Sequence, residues 1–221
     1  MTPQNWLITR LRKSRLYLVT DQALSMGRST IEVVHRALDG GVDIVQLREY
    51  SLSDSELLKV AIQVRKLTRQ YRALFIVNNR PDIALLSRAD GVHIGQEDLP
   101  VNQVRRLIGH QKIIGVSTHE LAQALHAVKA GADYIGVGPI YPTKTKKHVG
   151  PPVTLKYIQT ICNAGIPVPF FAIGGIKLHN LESVMMSGAR RVAIVSEIVS
   201  ALKVKNTTQR IKNILKRFSL S

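Results

Sequence analysis

A chain of 221 residues that is 45% hydrophobic can bury one sizeable core, and α/β barrels reach this length as a single domain. One cysteine excludes an intrachain disulfide framework, and the longest apolar runs are far too short to cross a bilayer. The net charge of +16 would suit nucleic acid, yet ten of the bases lie in residues 1–15 and 201–221, which hold no acid, and the segment between carries 21 bases against 15 acids. Basic ends of this kind bind polyanions weakly through counterion release, or simply solvate the surface.

Residues 1–15 read as a basic N-terminal extension. They lack the apolar core of a secretory signal, so a short helix built on Trp6, Leu7 and Leu11 and a cytoplasmic location are expected. Residues 16–221 read as one barrel domain that includes a basic C-terminal helix. Eight apolar runs follow one another: LYLVT (16–20), DIVQL (43–47), ALFIV (73–77), GVHI (91–94), IIGVS (113–117), YIGV (134–137), PFFAI (169–173) and RVAIV (191–195). They do not alternate and are rich in Val and Ile, as parallel strands covered on both faces should be. The segments between them repeat at helical spacing, with Leu57, Val60, Ala61, Val64 and Leu67 on one face and Leu121, Ala124, Leu125 and Val128 on another. Ser53 with Glu56, and Ser117 with Glu120, fit capping boxes, and Gly40-Gly41, Gly131-Ala132 and Gly188-Ala189 fit helix ends. Cys162, inside the helical YIQTICNAG, reads as a buried thiol. Eight strand–helix units in about 200 residues predict a (β/α)8 TIM barrel, with its chemistry in the loops that follow the strands.

The ends of those strands carry the candidates. Arg48 follows the second strand as an anion clamp or an ion-pair partner of Glu49 or another acid. Asn78, Asn79 and Arg80 follow the third, and Asn79 alone would cap the next helix. Glu97 and Asp98 follow the fourth, where they cap a helix or hold a hard cation such as Mg2+, while His93 points into the barrel or its wall. After the fifth strand, Ser117 binds a substrate or caps, and His119 offers a group that titrates near neutrality. GPIYPTKTKK (138–147) follows the sixth strand, Gly174-Gly175 the seventh and Val195-Ser196 the eighth. Together they suggest two anion sites. One is a phosphate pocket from the last two loops, completed by Thr143 and Thr145. The other joins Arg48, Lys146 and a cation on Asp98.

The segments LYLVTD, GGVDIVQLRE, FIVN, GVHIGQEDLP, IGVSTH, GADYIGVGPIYPTKTKK and AIGGI, in this order and spacing, resemble thiamine-phosphate synthase over about residues 16–200. The resemblance implies a transferase that joins hydroxymethylpyrimidine diphosphate to hydroxyethylthiazole phosphate and releases pyrophosphate. It implies that Gln46, Arg48 and Asn78 hold the pyrimidine diphosphate, with Lys146 on the diphosphate and Ser117 on the pyrimidine. Thr143, Thr145, Gly175, Val195 and Ser196 would bind the thiazole phosphate. Asp98 and the position of Asn79 would ligate Mg2+, and Arg48, Ser117 and Lys146 would carry the catalysis. The expected partners are small-molecule substrates, with no membrane and no specific nucleic acid, and a homo-oligomer stays open.

Two positions depart from the family pattern. Tyr50 stands where the family usually has Lys, and Asn79 where it usually has Asp. The expectation is a weakened but present metal site, with Arg80 or Lys147 replacing part of the missing cation. Two alternatives accompany the synthase. One is a thiazole tautomerase of the same barrel family, with His119 as acid and base. The other is a non-catalytic phosphate- or nucleic-acid-binding regulator.

Overall fold

A computed structural model describes residues 3–143, 145 and 150–218. Eight parallel strands close in chain order into one barrel: β1 (Leu16–Val19), β2 (Ile44–Leu47), β3 (Leu74–Asn78), β4 (Gly91–Ile94), β5 (Ile113–Thr118), β6 (Tyr134–Val137), β7 (Phe170–Ile173) and β8 (Val192–Ile194). The ring closes where β1 pairs with both neighbours, Tyr17 opposite Ile44 of β2 and opposite Ala193 of β8. Every predicted run is a strand of the barrel, trimmed or extended by a residue or two at its ends. Nearly all strand residues are buried, because alternate side chains point into the barrel and back toward the helices.

Helix α1 (Pro3–Lys13) precedes the barrel. It sends Leu11 into the core and leaves Trp6 exposed. Outside the strands lie α2 (Thr30–Asp39), α3 (Asp54–Gln70), α4 (Pro81–Leu86), α5 (Val101–Ile108), α6 (Leu121–Lys129), α7 (Thr154–Asn163), α8 (Leu181–Met186), α9 (Ser196–Val199) and α10 (Val204–Arg217). The basic α10 packs Val204, Ile211 and Leu215 against the core and turns Lys205, Arg210, Lys216 and Arg217 outward, while Lys212 reaches back to the barrel rim.

Local signals behave as the chemistry requires in several places. Ser53 and Glu56 form a reciprocal capping box on α3. Gly41, Gly131 and Gly188 adopt positive φ just after α2, α6 and α8, where a Cβ would be strained. Four expectations are corrected. Ser117 does not cap α6: that helix begins after Glu120, and Ser117 stays in β5 with its hydroxyl turned to His93. The residue before α4 is Arg80, so Asn79 is not its cap; Asn79 itself sits at φ 56°, a left-handed conformation that asparagine tolerates. Cys162 and Leu125 are exposed, because α7 and α6 bury Ile158 with Ile161 and Ala124 with Ala127 instead.

One device repeats at the N-terminal rim. Asp43, Asp90 and Asp133 stand just before β2, β4 and β6. Each carboxylate accepts a backbone N–H from the preceding strand's start, at Leu16 (3.0 Å), Phe75 (2.8 Å) and Ile114 (2.8 Å). Each also pairs with a cation from a covering helix: Lys212 of α10, Arg65 of α3 and Arg105 of α5. The acids thus tie alternate strand pairs to the helical layer at the face opposite the chemistry.

Candidate active site

The C-terminal ends of the strands surround a cavity of about 140 Å³. Gln46, Arg48, Asn78, Ser117, Thr143, Thr145, Gly175, Val195 and Ser196 all line it. These come from the ends of β2, β3 and β5 and from the loops after β2, β6, β7 and β8, so closure of the barrel brings distant sequence around one cavity. Lys146 and Lys147 lie outside the described residues.

Arg48 is the dominant charge of one wall of the cavity. Its side chain is almost wholly buried, and its Nη2 donates to Asp21 Oδ2 at 3.0 Å and to the Thr145 carbonyl at 3.0 Å. Its Nε is buried with no hydrogen-bond partner among the described residues. The acid beside it is therefore Asp21, not Glu49. Glu49 accepts from Thr30 Oγ1 and the Gln22 N–H, both at 2.8 Å, and so fixes the loop after β1. Tyr50 lies under the guanidinium, its ring centre 5.8 Å from Cζ, and is 67% exposed at the mouth.

The opposite wall is built by close backbone approach. Gly174 and Gly175 have φ of 100° and 63°. A Cβ on Gly175 would lie 2.6 Å from the Pro142 carbonyl, so the loops after β6 and β7 can touch only through glycine. Thr143 Oγ1 and Thr145 Oγ1 are 3.1 Å apart. Lys177 Nζ donates to Ser196 Oγ at 2.9 Å and lies 3.4 Å from Glu197, an ion pair that holds Ser196 at the edge of the cavity. The sequence reading passed over Lys177, whose only signal was its place two residues after the glycine pair.

The floor is polar inside an apolar barrel. Gln46 Nε2 donates to the Tyr17 hydroxyl at 2.8 Å. The hydroxyls of Tyr17 and Tyr134 are 2.8 Å apart, Tyr134 is 3.0 Å from His93 Nδ1, and His93 Nε2 is 2.9 Å from Ser117 Oγ. Burial holds both phenols well above the ordinary tyrosine range, so they remain protonated. Tyr17 and Tyr134 look like core aromatics in sequence, and only the closed barrel sets them side by side. His119 also borders the cavity, with Nδ1 donating to the Gly138 carbonyl at 2.5 Å, which leaves Nε2 as its basic nitrogen when neutral.

Asn79 and Asp98 lie in the loops after the adjacent strands β3 and β4 but do not line the cavity. Asp98 Oδ2 accepts from the Gly95 N–H at 2.5 Å, which closes the turn after β4. Its second oxygen and the Asn79 amide oxygen are hard donors of the kind Mg2+ takes. Among the described residues no group of three His, Cys, Asp or Glu side chains could hold a metal alone. A cation held by these two oxygens would have to complete its shell with water and substrate. Arg80 is not a spare cation for this site: it donates to Asp82 at 2.7 and 3.0 Å and to Asp54 at 2.6 Å.

The family model and the curated relatives point to one family. Residues 16–198 match the family model described as thiamine monophosphate synthase. Thiamine-phosphate synthase of Lawsonia intracellularis is 52% identical over 200 residues, covering 90% of this chain and 92% of that one. The enzyme of the same name from Halalkalibacterium halodurans is 46% identical over 207 residues, covering 94% and 98%. The solved thiamine phosphate pyrophosphorylase from Pyrococcus furiosus superposes with a TM-score of 0.86 at 34% identity, covering 96% of this chain and 99% of that one.

Proposed function

This chain belongs to the thiamine monophosphate synthase family and so makes thiamine phosphate, and we propose that its barrel mouth does this by joining hydroxymethylpyrimidine diphosphate to hydroxyethylthiazole phosphate. The observation that supports the reading most is the convergence on one cavity of every described residue expected to touch substrate.

In this reading Gln46, Asn78 and Ser117 hold the pyrimidine, and Arg48 with Lys146 holds its diphosphate. The buried Nε of Arg48, without a partner among the described residues, is a donor that the diphosphate would take. Thr143, Thr145, Gly175, Val195 and Ser196 hold the thiazole phosphate on the opposite side, with Lys177 close to Ser196. The C–O bond to the diphosphate breaks and its electron pair leaves with pyrophosphate. The pyrimidine stabilises the methylene cation that remains, and the thiazole nitrogen donates its lone pair to form the new C–N bond. Asp98 and Asn79 would hold Mg2+, which when bound supplies charge neutralisation to the departing diphosphate. Arg48, Ser117 and Lys146 do the protein's share of catalysis by fixing the two reactants in line and by meeting developing negative charge with preorganised donors. A cytoplasmic setting and small-molecule partners alone, without nucleic acid, accompany this reading.

The test is an assay with both substrates that follows thiamine phosphate and pyrophosphate, with Mg2+ and then with chelator. Equimolar products that appear only with Mg2+ are expected. Product formed equally well in chelator would remove the metal from the reading, and no product at all would turn attention to proton transfer at His119.

A further inference from the structure

The loop after β7 and the start of α9 are joined by polar contacts whose directions are all fixed. The Lys177 backbone N–H donates to Asn180 Oδ1 at 2.7 Å, and Asn180 Nδ2 donates to the Gly175 carbonyl at 3.0 Å. A backbone N–H only donates and a carbonyl only accepts, so the Asn180 amide has one orientation. It curls the loop back on Gly175 and brings Lys177 to the start of α9. There the Leu178 N–H donates to Glu197 Oε1 at 3.3 Å, and Lys177 Nζ lies 3.4 Å from Glu197 Oε2. The same Nζ donates to Ser196 Oγ at 2.9 Å.

That last contact also has one direction. An ammonium group carries three protons and no lone pair, so Ser196 Oγ is the acceptor. The single proton of the hydroxyl must then point elsewhere. Among the described residues it meets no acceptor, and Ser196 borders the cavity whereas Lys177 and Glu197 do not. Without the ammonium, the hydroxyl could turn either its proton or a lone pair to the cavity. Glu197 holds the ammonium in place, and the pair is partly shielded from water, with side chains 33% and 20% exposed.

We propose that Lys177 is a positioning residue that acts through Ser196 and does not touch the ligand: it commits the Ser196 hydroxyl to donate into the cavity, toward an acceptor such as a phosphate oxygen. The inference rests on the reading that Ser196 holds the thiazole phosphate. It adds a residue from outside the cavity wall that sets how Ser196 meets that phosphate.

Calorimetric titration with hydroxyethylthiazole phosphate and with unphosphorylated hydroxyethylthiazole tests this without turnover, because the ratio of the two affinities isolates the phosphate. Ser196→Ala should lower the ratio by about tenfold or more, the worth of one hydrogen bond to a charged group. Lys177→Met keeps the apolar stem and removes the donor, and should lower the ratio by about three- to tenfold. Lys177→Arg, which again can only donate, should restore it. Lys177→Gln, whose amide can turn either way, should lose as Met does, and it serves if the Met variant does not fold. In the Ser196→Ala background Lys177→Met should change nothing further. A ratio that neither Met nor Gln moves overturns the inference. So do losses that multiply in the double variant, which would mean that the ammonium acts on the phosphate by its own charge. Thiamine phosphate formation is followed beside these. A wild type that binds both thiazoles alike removes Ser196 from the phosphate and overturns the inference with it. A wild type that favours the phosphate, loses that preference in Lys177→Met and makes no product sinks the reaction and supports the inference.

Discussion

Asp21 holds Arg48 at the rim where β1 and β2 end, its carboxylate 3.0 Å from Nη2. The pair is mostly buried, so the two charges depend on each other. Asp21→Asn should destabilise the fold by about 3 kcal/mol, because it leaves a buried guanidinium uncompensated. It should not raise KM for the diphosphate substrate, since the freed charge still faces the cavity. Arg48→Ala should lower kcat/KM by about 10²- to 10³-fold. Urea denaturation and steady-state kinetics separate the two effects. An Asp21 variant with weaker diphosphate binding and full stability would assign the carboxylate to the substrate instead.

Tyr50 and Asn79 can be returned to the family pattern one at a time. Asn79 sits in the left-handed region, which aspartate also tolerates, so Asn79→Asp should fold normally. In the Mg2+-dependent reading it replaces a neutral oxygen donor by a charged one. The Mg2+ concentration that gives half-maximal rate should fall by about tenfold, within the range that ligand changes usually produce. An unchanged Mg2+ profile would remove position 79 from the metal site.

Gly175 has positive φ and no room for a methyl group against Pro142 and Tyr141. Gly175→Ala should cost about 1–3 kcal/mol of stability and should raise KM for the thiazole phosphate more than for the diphosphate. Equal loss on both substrates would mean that the glycine shapes the whole mouth rather than one side of it.

Asp90 ties β3 and β4 to α3 far from the reaction, accepting from Phe75 N–H at 2.8 Å and pairing with Arg65 at 2.7 Å. Asp90→Ala strands both partners and should lower stability by about 3–5 kcal/mol. Activity per folded molecule should be unchanged at a temperature where the variant remains native.

Hydrogen bonds from Arg80 hold the carboxyls of Asp82 and Asp54 below their ordinary range. A carboxyl depressed in the folded state stabilises the fold above its unfolded pKa, and that contribution is lost as pH falls through the folded value. The wild type should therefore exceed Arg80→Ala in thermal midpoint at neutral pH. The gap should close as pH falls from about 5 to about 2. Both carboxylates are at least half exposed, so the gap is small. A gap that persists at low pH would point to packing by the arginine stem.

The sequence alone determined the barrel. Eight unalternating Val- and Ile-rich runs, separated by amphipathic helices, leave few other ways to bury both faces of a sheet. It also marked the mouth, because residues such as Arg48, Thr143 and Gly175 follow strands directly, and strand ends in a barrel converge. The resemblance in those same segments supplied the family. Local pattern misled where one residue had two satisfactory uses. Ser117 and Glu120 have capping-box spacing, but β5 runs on through Thr118 and the Ser117 hydroxyl turns to His93. Leu125 has core spacing, but the alanines of α6 let the helix lie closer on another face. Only the tertiary structure decided that Asp21 is the partner of Arg48, that Arg80 is consumed by Asp82 and Asp54, and that Tyr17 meets Tyr134 across 117 positions of sequence. Periodicity reports which face a residue occupies. Which residues meet across the barrel depends on strand register and closure, and those are set by all eight strands at once.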